Sequence, residues 1–354
     1  MVRGAMVGAT IIMRRIKAKV ISLMRRIAYT HPILQALIRL YYAYRLYSRT
    51  RHTFGTDTVI CSVAPIGTGD YYFAGMYMGE WLKQNNITEW VMLCENKTVL
   101  KVTGLFKIFD NHTYVPPQQW TIHNMRKLIA FCNIPDYHYF HYAHSSLDYA
   151  GLCVMQPKPS RLFGYKGLEM LDLYIHGAWF LPRQSPYDSP VFNYTDEDMQ
   201  NALEYLKADP QKCVLISPYS ASYREHLPPL SFWENIVKHL NKCGYTVFTN
   251  CAGREKAIKR TRKYLVPYNV SVPILNQMGG FIGIRSGLCD IVSTATCKKI
   301  VLHPYGGRNW PPGTSLAFTG LNNMGLCNDA LEYEFEPCWD NLDYVFEKVI
   351  GEFV

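Results

Sequence analysis

Phe281-Ile282-Gly283-Ile284-Arg285-Ser286-Gly287-Leu288-Cys289-Asp290 is an apolar run that meets a small-residue turn and passes at once into a helical pattern. A second apolar run, Ile300-Val301-Leu302-His303-Pro304, follows the helix. Strand, helix and strand in that order form a βαβ unit, whose parallel strands need helices on the sheet faces. The junction itself carries chemistry. A helix start leaves backbone N–H groups without partners at the positive end of its dipole, and both favour a bound anion. Gly287 permits close approach to the backbone, and Arg285 adds a full positive charge. A phosphate seat at Ser286, Gly287 and Leu288 is one reading; a plain turn with a capping serine is the other.

The βαβ alternation recurs along the chain. Thr58–Val63, Glu89–Leu93 and Tyr137–Tyr142 read as strands, with helices at Asp70–Gln84 and Gln118–Phe131. A second series begins at Thr195, a good helix N-cap followed by Asp196, Glu197 and Asp198. It continues with strands at Cys213–Ser217 and Tyr245–Thr249, and helices at Ser231–Asn241 and near Arg254–Tyr264. Asp340–Phe353 closes as a helix. At 354 residues the chain exceeds one ordinary core. The expected division is a basic arm at 1–52, one α/β domain at 53–190 and another at 191–354.

Charge is uneven. Of 37 Lys and Arg, eleven fall in residues 1–52, where there is no Asp or Glu. The other 26 face all 28 acidic residues, so the remainder is about −2. A nucleic-acid partner would need a basic face on the folded body, and none is expected. Ile12, Ile16, Val20, Leu23 and Ile27 form one helical stripe, and Leu34, Leu37, Tyr41 and Tyr44 form another. Basic amphipathic helices of this kind lie on anionic membranes; the competing reading packs them on the domain. The apolar run Ala5–Met13 is too short to span a bilayer and no cleavage site follows it. Eleven scattered Cys without a CxxC pair point to a reduced, cytoplasmic compartment.

Three segments together carry a resemblance. Pro65-Ile66-Gly67-Thr68-Gly69-Asp70 looks like the Gly-Asp turn of heptosyltransferase-like glycosyltransferases. Ile216-Ser217-Pro218-Tyr219-Ser220-Ala221-Ser222-Tyr223-Arg224, followed by Leu227-Pro228 and a helix, is similar to that family's second-domain phosphate loop. Met278–His303 resembles its third signature. Their order and spacing cover roughly residues 57–310. The chain departs from the family where Cys289-Asp290 stands in place of the usual His, so heptose is not implied as the donor.

The resemblance implies an α/β fold of GT-B type, two Rossmann-like domains facing across a cleft, with the basic amphipathic helices as an addition. It further implies an inverting, metal-independent transfer from a nucleotide sugar, without a cofactor. Such chemistry needs a base for the acceptor hydroxyl and fixed positive charge at the leaving diphosphate. Asp70 is the candidate base, its alternative role being a helix cap. Ser220, Ser222, Arg224, Arg285, Ser286, Gly287, Leu288 and Asp290 are the candidate donor contacts. Asp290 would meet a ribose or sugar hydroxyl, or complement its helix dipole. His141 and His144 are candidates for the acceptor side; with His138 they do not share one strand face, so a metal cluster is not expected. Asp196 and Asp198 match an Asp-x-Asp metal pattern but sit where capping explains them. Gly67-x-Gly69 lacks a third glycine at Tyr72, so the dinucleotide fingerprint is absent.

The expected acceptor is lipid-linked or a polysaccharide, met by a peripheral protein at the inner membrane face. Two alternatives stay open: a sugar-nucleotide 2-epimerase of the same fold, and a membrane-associated module that binds a sugar nucleotide or glycan without turnover.

Overall fold

The alternation produces two separate parallel sheets. The computed structural model describes residues 31–64, 67–116, 134, 136–141, 169–182, 184–221, 227–304, 314–335 and 341–353. Strands β1 (Val59–Ala64), β2 (Trp90–Leu93), β3 (Thr113–Tyr114) and β4 (Tyr137–His141) form the first sheet in the order β3-β2-β1-β4. The second contains β5 (Cys213–Ser217), β6 (Thr246–Asn250), β7 (Arg262–Tyr264), β8 (Gly280–Ile284), β9 (Lys299–Pro304) and β10 (Leu331–Phe335). Its order is β10-β9-β8-β5-β6-β7. Every paired strand runs parallel to its neighbour. The chain enters each sheet at an inner strand, winds outward to one side and returns on the other. The winding therefore reverses between β1 and β4, and again between β5 and β8. Ligands of open α/β sheets bind outside the carboxyl ends of the strands at such reversals.

Helices cover both faces of each sheet: α1 (Pro32–Phe54), α2 (Thr68–Gln84), α3 (Lys97–Thr103), α4 (Asp196–Leu206), α5 (Leu230–Lys242), α6 (Tyr268–Leu275), α7 (Gly287–Ile291), α8 (Thr314–Thr319) and α9 (Leu342–Gly351). Side-chain alternation shows which face meets which layer. Along β1, Ile60 joins Ala43 and Leu46 of α1, while Cys61 and Val63 turn to the other side. Along β5, Val214 and Ile216 pack with Trp233, Ile236 and Leu240 of α5 and Val345 and Val349 of α9. Its other face, with Leu215, belongs to a buried apolar cluster that also contains Val63, Tyr72, Phe73 and Phe106 of the first half and Phe248, Tyr264, Phe281 and Leu288 of the second. One apolar core thus ties the two halves together. β5, β8 and β9 are buried along their whole length, as strands covered on both faces must be.

The structure corrects the expected helix near Arg254–Tyr264. Residues 262–264 form β7, at the sheet edge, and the segment before it is irregular. Arg260 is left-handed at φ +67°. Thr249 holds the segment instead, accepting the Ile258 N–H at 3.1 Å and sharing a hydroxyl contact with Thr261 at 2.5 Å. The elements α3, β3, α6, α8 and β10 were not anticipated; Glu334 of β10 accepts both the Ser315 and Leu316 N–H groups at the start of α8. The expected helix Gln118–Phe131 lies outside the described residues.

Helix α1 runs through position 52 and is fastened to the body. Arg51 pairs with Asp136 at 2.7 Å and donates to the Thr58 carbonyl at 2.6 Å. No helix among the described residues is long and apolar enough to cross a membrane.

Candidate active site at the junction of the two sheets

Asp70 is the third residue of α2, whose N-cap is Gly67. One carboxylate oxygen, Oδ2, accepts the Gly67 N–H at 2.7 Å and so closes the first turn of the helix. The other, Oδ1, accepts a hydrogen bond from the Tyr174 hydroxyl. Tyr174 comes from a π-helical turn at Leu173–Ala178, a hundred residues downstream. Asp70 is half-buried, and desolvation of its carboxyl group pushes its pKa up from 3.8 to about 7. The Gly67 N–H opposes the rise, Asp290 reinforces it and Arg285 opposes it. Capping and an elevated pKa therefore coexist in one side chain. A carboxyl group poised near neutrality suits general-base work at physiological pH.

Opposite Asp70 stands the junction of β8 and α7. Arg285 and Asp290 are both buried and form an ion pair at 2.6 Å. The guanidinium also donates to the Thr319 carbonyl and to the Ser286 carbonyl, each at 2.7 Å. Its charge is thus matched inside the protein, and its hydrogen bonds fix the backbone of the turn. Burial raises the Asp290 pKa and Arg285 counters it. Ser220, beyond β5, donates to the Arg285 carbonyl at 3.1 Å and joins the two loops at the winding reversal. Ser286 occupies the N-cap position of α7, but its hydroxyl makes no cap hydrogen bond. The plain capping-serine alternative therefore does not describe this turn.

A polar cluster supports Arg285 from behind. The Thr319 hydroxyl lies within hydrogen-bond reach of both the Ser315 carbonyl, at 2.7 Å, and His303 Nδ1, at 3.2 Å. His303 Nε2 lies 2.9 Å from Glu332 Oε1, and that contact needs one shared proton. Burial by itself would raise the Glu332 pKa. Hydrogen bonds from His303 and from the Leu321 and Asn322 N–H groups outweigh it and hold the carboxyl below its usual range.

The two junctions touch. A Cβ on Gly287 would overlap Thr68 Oγ1 and the Gly69 N–H, and one on Gly69 would stand 2.6 Å from Asp290 Oδ2. The close approach that Gly287 permits is made, in this structure, by the start of α2. Two helix N-termini from different sheets converge here, with the carboxylates of Asp70 and Asp290 beside them. Positive dipole ends repel unless negative charge lies near. The convergence therefore sets two carboxyl groups beside two positive dipole ends.

No protein-family model matches the chain, and a comparison with curated proteins finds no match. Among solved structures it is similar to the ADP-heptose lipopolysaccharide heptosyltransferase II of E. coli. The TM-score is 0.52 and the identity 11%, over 83% of this chain and 98% of that one. The fold is that of a heptosyltransferase. A Veillonella parvula family 9 glycosyltransferase is also similar, at TM-score 0.49 and 11% identity over 82% and 91% of the two chains. E. coli heptosyltransferase WaaC with ADP follows at 0.47 and 10% over 83% and 99%. At these identities the likeness concerns the fold, and the first match carries it.

Within the heptosyltransferase fold, Asp70, Ser220, Arg285, Ser286, Gly287, Leu288 and Asp290 gather around the two winding reversals. Ser222 and Arg224 lie outside the described residues, as does His144. His141 is the last residue of β4, and its side chain is not described. His138 packs edge-on against Trp81 with ring centroids 4.9 Å apart, and burial lowers its pKa. Asp198 accepts the Thr195 N–H at 3.0 Å and its own N–H donates to Thr195 Oγ1 at 3.1 Å, so the acidic run caps α4. Among the described residues no His, Cys, Asp and Glu cluster could hold a metal. Sequence reasoning missed Tyr174, Thr319, His303 and Glu332. Only the last could have been anticipated, from the strand-like alternation of Leu331, Tyr333 and Phe335 around it.

Proposed function

We propose that this protein is an inverting, metal-independent glycosyltransferase that moves a sugar from a nucleotide donor to a lipid-linked or polysaccharide acceptor. The observation that carries the reading is the half-buried Asp70 carboxyl, with a pKa raised to about 7, beside the converging starts of α2 and α7. In its ionised form Asp70 takes the proton of the acceptor hydroxyl as that oxygen attacks the anomeric carbon. Tyr174 and the Gly67 N–H, both donors, steady the negative charge before the transfer. The leaving diphosphate is received beside the turn at Ser286, with Ser222 and Arg224 as further donors, while the face of Gly287 is taken by the start of α2. Arg285, Asp290 and Ser220 keep that backbone in place instead of reaching for the ligand. Residues 53–190 would present the acceptor and residues 191–354 the donor. The protein would work as a peripheral component of the inner membrane face.

The test begins with thermal unfolding against UDP, GDP, ADP, CDP, dTDP and CMP. ADP belongs in the panel because the matched E. coli enzyme is named for ADP-heptose. A ligand at about 100 times its Kd stabilises the fold by roughly 2.7 kcal/mol, enough to rank the bases. Turnover of the matching nucleotide sugar with a glycolipid acceptor should then depend on Asp70 and survive a chelator. Conversion of the donor with no acceptor present would favour the epimerase. Tight donor binding without any turnover would favour a binding module.

A further inference from the structure

Helix α1 is apolar on two opposite sides, and among the described residues the body covers one of them. Ala43, Leu46 and Thr50 are buried against the first sheet. At about 100° per residue, Ile33, Leu37, Tyr41 and Tyr44 fall on the far side. All four are more than half exposed, from 56% at Tyr41 to 79% at Ile33. Arg45 and Arg49 flank this stripe and are exposed, Arg45 lying over the Tyr41 ring at 5.9 Å. The stripe that reads as amphipathic in the sequence is thus the one facing away from the protein.

We propose that this face of α1 docks on an anionic lipid bilayer. The helix axis would lie in the plane of the surface, with Ile33, Leu37, Tyr41 and Tyr44 at the boundary of headgroups and acyl chains. Arg45 and Arg49 would meet lipid phosphates. Tyrosine suits that depth because its ring is apolar and its hydroxyl is polar. Charge selects the occupant. No acidic residue precedes Asp57. A second copy of the chain would set Arg45 and Arg49 against their own counterparts with no carboxylate between them. Residues 1–30, with seven Lys and Arg and no Asp or Glu, would bring like charge to the stripe if folded over it. A sheet of lipid phosphates neutralises the arginines and accepts the apolar side chains together. Arg51, fixed to Asp136, would transmit the docking to the first sheet. The inference rests on the peripheral placement proposed above and names its surface; it is tested apart from the transfer itself, since lipid binding needs no sugar.

The experiment is flotation of the full chain with vesicles of phosphatidylcholine, with and without phosphatidylglycerol, at low and high salt. Binding should require phosphatidylglycerol and weaken with salt. Arg45→Gln with Arg49→Gln should weaken it by roughly fivefold per arginine. Leu37→Ser with Tyr41→Ser and Tyr44→Ser should lower it at least tenfold while keeping the parent's circular dichroism and urea midpoint. If that variant misfolds, the arginine pair carries the test. Parental vesicle binding in both variants would overturn the proposal in favour of residues 1–30. No binding by the parent would overturn it outright. A parent that sediments as a dimer dispersed by the serine variant would make the stripe a self-association face.

Discussion

Replacing Asp70 by Asn removes one charge and leaves the shape. The Asn oxygen can still accept the Gly67 N–H, and the Tyr174 hydroxyl can rotate to accept from the amide nitrogen. What changes is the cost of burying an ionised carboxylate. In the folded protein the group holds its proton up to about pH 7, against 3.8 ordinarily. Between those values the folded state binds a proton that the unfolded state has lost, so stability falls as pH rises through this window and levels off above it. A difference of about three pK units corresponds to at most about 4 kcal/mol. Asp70→Asn should therefore match the parent near pH 4 and exceed its stability near pH 8 by up to that amount. Urea unfolding at constant ionic strength across this range measures both curves. Turnover should move the opposite way, with a loss of about 10²–10⁴-fold from removal of a general base. If the variant is instead less stable than the parent by the same margin at pH 4 and pH 8, the native carboxylate is ionised at an ordinary pKa. It is then a helix cap and nothing more, and the base must be sought elsewhere.

Tyr174→Phe removes a donor to the ionised form of Asp70, so the rising limb of the pH–rate profile should shift upward by about one to two pH units. Gly287→Ala must push apart Thr68 and Gly69, and should destabilise by about 1–3 kcal/mol in urea unfolding. Gly351→Ala, where a Cβ meets nothing within 4 Å, should be neutral or slightly stabilising. Arg285→Ala leaves Asp290 and the Thr319 carbonyl buried without their partner. It should cost about 3–5 kcal/mol of stability together with any loss of nucleotide binding, measured by urea unfolding and calorimetry. Ser286→Ala, lacking a cap to lose, should leave stability within about 0.5 kcal/mol of the parent.

Central strands were legible because a parallel strand covered on both faces is a continuous apolar run: Cys213–Ser217 and the segment ending at Ile284 show it. The start of α4 was legible because its cap is made within four residues, Thr195 to Asp198. Arg254–Tyr264 misled because charged residues carry little periodicity, and what orders them is Thr249, on another strand. At the site, Asp70 could be picked out from its place after a strand end. Tyr174 could not, since nothing local marks one tyrosine among 26. Arg285 read as a free charge beside a phosphate turn. The Asp290 that balances it stands five residues on, across a turn that only the folded chain closes.

The sequence by itself determined what neighbours in the chain decide. It set the alternation of strands and helices, the helix ends, the uneven charge and the apolar stripe on residues 34–44. These follow from periodicity and local hydrogen bonding, which act over a few residues. Tertiary structure alone decided that the starts of α2 and α7 meet through two glycines, and that Asp70 is desolvated beside a tyrosine from far along the chain. It also decided which side of α1 is covered. All three depend on which surfaces exclude water from one another. Desolvation of that kind is imposed by distant residues, and no local pattern records it.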